Sequence, residues 1–108
     1  MRRETEYLRH ILEEIVFVEG ATHGLTQAAF LTDGVLKRAV VRSLEIIGEA
    51  VKKLPAEFRA EHARVDWRAM AGMRDRLIHD YFGVDYGIVW DVVENHLPTL
   101  KEEVEKLL

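Results

Sequence analysis

At 108 residues the chain is the length of a single domain, residues 1–108, and folding buries roughly two thirds of the surface of so short a chain, enough for one core. It contains no cysteine, which excludes disulfides and thiolate metal sites and fits a reducing cytoplasm. A net charge of −4 argues against coating nucleic acid by charge alone, and no apolar run approaches the length needed to span a bilayer. The opening Met1-Arg-Arg-Glu-Thr-Glu6 leads into an amphipathic stretch holding Glu13 and Glu14 rather than an apolar secretory core, so a cytoplasmic location is expected.

In chain order, Leu8, Ile11, Leu12, Ile15 and Val18 recur at three and four residues and predict a helix that stops before Gly20. Thr22 to Gly24 reads as a loop, and Thr26 to Leu31 as a short helical turn. Thr32 or Asp33 can cap a long helix along which Leu36, Val40, Leu44, Ile47, Val51 and Leu54 keep the period until Pro55 forbids continuation. Ala56 to His62 reads as a short polar connecting helix. Asp66 then caps a helix from Trp67, with Met70, Arg74, Leu77, Ile78 and Tyr81 along or beside its inner face and Gly83 at its end. Asp85 caps the last helix, lined by Ile88, Val92, Val93 and Leu97 and continued by Leu100, Val104 and Leu107 after a kink at Pro98. Few prolines and no alternating strand pattern leave an all-α chain, an antiparallel bundle of four to five helices.

Chemistry concentrates in Met73-Arg-Asp-Arg-Leu-Ile-His-Asp-Tyr81, which has the pattern R-x4-H-x-Y. Arg74 is a permanent cation, His79 titrates near neutrality and Tyr81 carries a phenol. Residues 52–76, which run into this pattern, carry seven Lys/Arg against four Asp/Glu and form the net basic part of an acidic chain. In an ideal helix, residues five apart point about 140° away from each other. Arg74 and His79 therefore converge only if the arginine swings round, the helix loosens near His79, or a second subunit completes the cleft about a two-fold axis. Such a groove suits phosphodiester cleavage: guanidinium stabilises charge on phosphorus, and imidazole moves a proton to or from the reacting oxygens. That scheme calls for no metal and no cofactor, and His10, His23, His62, His79 and His96 show no ligand spacing. The opposing reading is that Arg74 merely pairs with Glu45 or Glu49 while His79 caps a helix end; Glu49 is a candidate to orient Arg74, against a default reading as a surface glutamate. Gly48 is expected to allow a close helix contact. Trp67 and Trp90 are expected in the core rather than stacked on a base, and Gly83 and Gly87 do not make a phosphate loop.

Trp67 through Trp90, with Arg42-Ser-Leu-Glu-Ile-Ile-Gly-Glu-Ala50 upstream and Asn95-His-Leu-Pro-Thr-Leu100 downstream, closely resembles the HEPN domain (higher eukaryotes and prokaryotes nucleotide-binding), in its HepT-like branch. The resemblance spans nearly the whole chain. It implies an all-α homodimer whose paired Arg74 and His79 form a metal-independent endoribonuclease site acting on RNA, tRNA among the candidates. It also implies a toxin encoded beside an MntA-like nucleotidyltransferase antitoxin, which silences it by attaching AMP to the tyrosine of the motif, Tyr81. The residue after the arginine is often Asn in this branch; here it is Asp75, an anion that either weakens RNA binding or holds Arg74 in place. An alternative from another class is a non-catalytic HEPN subunit that binds nucleotide or RNA and regulates the nucleotidyltransferase.

Overall fold

The computed structural model describes residues 2–79 and 83–108, with the backbone alone described for Arg2, Ile78 and His79. Its elements are α1 (Arg2–Thr22), α2 (Gln27–Thr32), α3 (Gly34–Lys53), α4 (Ala56–Glu61), α5 (Trp67–Ala71), α6 (Met73–Leu77), β1 (Ile78–His79), β2 (Gly83–Val84), α7 (Tyr86–Asn95) and α8 (Leu97–Leu107). The architecture is an all-α bundle, with one two-residue ladder between β1 and β2.

The frame is α1 packed along α3, and the apolar period is its cause. Ile11, Ile15 and Val18 of α1 and Val40, Leu44, Ile47 and Val51 of α3 are all fully buried. Each such side chain removed from water contributes about 1.5–3 kcal/mol. Asp33 caps α3 by accepting the Leu36 N–H at 2.9 Å, and Pro55 follows the C-terminal residue Leu54. α1 runs past Gly20 to Thr22, farther than its stripe suggests, and in its last turn the Thr22 hydroxyl donates to the Val18 carbonyl at 2.8 Å. Gly24, at φ +74°, then turns the chain.

α7 and α8 close the frame from the other side. The break between them falls at His96, with Pro98 in the first turn of α8, where a missing N–H costs nothing. Leu97, Leu100 and Val104 bury one face of α8, and the Lys101 ammonium reaches Glu19 of α1 at 2.8 Å. That carboxylate, hydrogen-bonded to it, holds Lys101 above the ordinary lysine range. Trp90 lies against Phe30 with ring centroids 5.1 Å apart, and Trp67 is buried with its indole N–H on the His62 carbonyl at 2.8 Å. Both tryptophans belong to the core.

Candidate functional site

The segment from Trp67 to Leu77 is two short helices joined at Gly72, and its seating on α3 begins with one missing side chain. A Cβ added at Gly48 would stand 3.0 Å from the Met70 carbonyl oxygen and 3.4 Å from the Met73 Cβ. Glycine at this point of α3 lets the α5–α6 backbone approach that closely. Met70, Met73 and Leu77 then fill the space beneath, all buried. Asp66 caps α5 through the Ala69 N–H at 3.0 Å.

With Met73 and Leu77 facing inward, Arg74, Asp75 and Arg76 are turned outward and exposed. The Arg74 side chain is 69% exposed, and its Nε lies 3.7 Å from Oε2 of Glu45, itself 25% exposed. Of the two α3 carboxylates considered beside it, the structure puts Glu45 next to Arg74, whereas Glu49 reaches Lys52 at 3.5 Å. The register of α6 on α3, fixed by the close approach at Gly48, decides between them. Among the described residues Glu45 meets the guanidinium at Nε, and the two terminal nitrogens make no ion pair with any of them, the geometry that suits a planar anion.

The helix expected to continue to Gly83 ends at Leu77. Ile78 and His79 are extended and pair antiparallel with Val84 and Gly83, His79 standing opposite Gly83. Two local causes are visible. Gly83, at φ +80°, adopts a left-handed conformation that suits a chain reversal, and the Asp85 N–H donates to the Leu77 carbonyl at 2.7 Å, satisfying a helix-end acceptor from across the turn. Asp85 goes on to cap α7 through the Ile88 N–H at 3.1 Å. The 140° separation of an ideal helix therefore does not govern Arg74 and His79, because only the arginine is helical. Tyr81, the expected AMP acceptor, lies outside the described residues.

Glu45 and Glu49 lie one turn apart on the same face of α3, and the sequence offers both to Arg74; the structure pairs it with Glu45 and leaves Glu49 exposed beside Lys52, the surface position that is its default reading. The signal that separates them is Gly48, which marks where α3 touches α5 and α6. Among the described residues no three His, Asp or Glu side chains converge as a metal site, and no helix is long and apolar enough to cross a membrane.

The family model for ribonuclease HepT-like proteins matches residues 11–107. The chain is 50% identical over its whole length, and over 96% of the relative, to a protein of Caldanaerobacter subterraneus subsp. tengcongensis named “Putative RNase TTE0752”. It is 45% identical, over 98% of the chain and 96% of the relative, to the “Probable ribonuclease HepT” of Thermococcus cleftensis. A larger Methanocaldococcus jannaschii protein, “Gamma-glutamylcyclotransferase and putative RNase MJ0434”, is 48% identical over all of this chain but only 49% of its own length. No solved structure matches the chain.

Proposed function

The chain belongs to the HepT-like ribonuclease family, and from that premise we propose that it is the toxin of a two-component system, a metal-independent endoribonuclease working as a homodimer. The observation that carries this reading is the presentation of Arg74: its backbone is anchored by buried Met73 and Leu77, while its guanidinium stands open to solvent beside Glu45. The contact to Glu45 engages Nε alone among the described residues, and the side chain is 69% exposed, so an anion can approach it from solvent.

The chemistry follows from the residue types. His79 of one protomer takes the proton of a ribose 2′-hydroxyl, whose oxygen attacks the adjacent phosphorus. The bond from phosphorus to the 5′-oxygen breaks, and that oxygen collects a proton from the second protomer's His79. The products are a 2′,3′-cyclic phosphate and a free 5′-hydroxyl. Arg74 stabilises the extra charge on the phosphoryl oxygens, a contribution available only where the guanidinium is held in position beforehand. Two-fold pairing of the motif supplies the base and the acid together.

Silencing by an MntA-like nucleotidyltransferase completes the reading: AMP attached to Tyr81 adds an anion that competes for Arg74 and blocks RNA by bulk. The test is cleavage of a labelled tRNA pool by AMP-free protein in chelator, with His79→Ala as control. Loss of cleavage in the variant, with the dimer intact by sedimentation, is the expected result; equal cleavage by both proteins rejects a catalytic His79. Tyr81→Phe should give a toxin that the nucleotidyltransferase cannot silence. Asp75, exposed directly beside Arg74, favours one second reading, a non-catalytic RNA- or nucleotide-binding partner of the nucleotidyltransferase. Absence of any cleavage by protein shown by mass to lack AMP would select it.

A further inference from the structure

We propose that the groove between α4 and α5 is a binding site for the phosphates of single-stranded RNA flanking the cleaved bond, held by Arg59 and Arg68. The proposal rests on the ribonuclease reading above for its ligand, but its geometry is separate from the motif. The groove has a volume of about 520 Å³ and is lined by Arg59, Arg64 and Arg68 around exposed Ala60 and Ala63. Its one lining carboxylate, Asp66, is already engaged, accepting the Ala69 N–H at 3.0 Å.

The three arginines are not equivalent. Arg64 is shared between Glu102 at 3.4 Å and Glu103 at 3.2 Å, and its charge holds Glu102 below the usual carboxylate range. Arg68 is exposed and pairs with no carboxylate among the described residues. Arg59 is half-buried, and its Nε is shielded from solvent with no hydrogen-bond partner. A buried guanidinium N–H left in that state is costly, and turning the Arg59 side chain toward an anion in the groove it lines would relieve it. Arg59 and Arg68 line the same groove, and its alanines, Ala60 and Ala63, leave room that larger side chains would fill.

Position ties the groove to the motif. The α5–α6 backbone is nearly continuous, since Gly72 N–H bonds the Arg68 carbonyl at 3.0 Å and Arg76 N–H bonds the Gly72 carbonyl at 3.1 Å. Arg74 stands six positions after Arg68, which at helical geometry is a rise of ~9 Å along the axis and a turn of about 120° around it. An extended strand with one phosphate at Arg74 covers that span within a few nucleotides. A duplex would bring a dense second row of phosphates against the acidic stretch 77–108, where two Lys/Arg stand against seven Asp/Glu.

The experiment is binding of a short labelled single-stranded RNA to the His79→Ala protein, followed by anisotropy over a series of KCl concentrations. Pairing Arg59→Gln with Arg68→Gln should weaken binding roughly tenfold and flatten the log–log salt slope by about 1.4, the loss of two single-strand phosphate contacts. Ala60→Glu, which removes no contact and places a carboxylate on an exposed helical position of the groove floor, should weaken binding as well, and it keeps the test decisive if the double variant fails to fold. Wild-type affinity and slope in Ala60→Glu and in any folded double variant would overturn the groove. A His79→Ala protein that still cleaves RNA would overturn the catalytic assignment of His79 while leaving this binding result to stand on its own.

Discussion

The frame of α1 and α3 and the segment from α5 to β2 are built on opposite principles. In the frame, two long helices repeat one apolar spacing, and every stripe residue of α3 from Val40 to Leu54 is buried. In the second region no element exceeds five residues, and three consecutive side chains, Arg74 to Arg76, face water. The frame derives its stability from burial repeated along a line. The site segment buries isolated side chains rather than a long stripe, and takes its position from Gly48 and its anchors Trp67, Met70, Met73 and Leu77. Stability and chemistry are thereby separated, and an exposed, pre-positioned arginine is tolerated because the core does not depend on it.

That separation can be broken deliberately. Ile47→Ala empties a fully buried position of the frame and should destabilise the protein by about 2–5 kcal/mol in urea unfolding, while kcat of the fraction still folded changes little. A comparable fall in kcat would show that frame and site are one mechanical unit. Gly48→Ala lies where the regions meet. Its methyl group would stand 3.0 Å from the Met70 carbonyl, and we expect a stability loss of about 1–3 kcal/mol together with reduced cleavage, since α5, and α6 with it, must shift to admit it. A variant that loses stability alone would place the site outside the influence of that contact. Glu45→Gln should have the smallest effect on unfolding, within about 1 kcal/mol because the pair is partly exposed, yet it should raise KM as the guanidinium loses its fixed orientation. Glu49→Gln, which disturbs only the exposed contact to Lys52, is the matched comparison and should leave KM unchanged.

The two regions also differ in how far the sequence disclosed them. The six apolar positions of α3 and the end of its helix before Pro55 were legible because periodicity and proline act through local geometry alone. Asp33, Asp66 and Asp85 cap helices where their positions before apolar runs indicated. Phe30 and Val89, both fully buried, were not singled out, since neither falls on a long repeating stripe. The motif itself was plain, but its conformation was not. Local pattern favoured a helix to Gly83, while the Leu77 carbonyl takes its hydrogen bond from Asp85, eight positions on, and β1 pairs with a strand beyond the turn. Contacts made across a reversal leave no period to read. The choice of Glu45 over Glu49 was hidden for a related reason, because it depends on how two helices are aligned rather than on either one.

The contact of α8 with α1 has a consequence for the order of events during synthesis. Lys101 reaches Glu19, and Leu97, Leu100 and Val104 cover the core from α8, which is made after every other helix of the bundle. Until residues 97–107 have emerged, a growing chain exposes the apolar face that α8 will cover, and the α1–α3 frame lacks its lid. The arginine-bearing helix, translated well before that point, stands on an unfinished support throughout. The segment that presents Arg74 thus acquires its working shape only once α8 has been made and has closed over the frame.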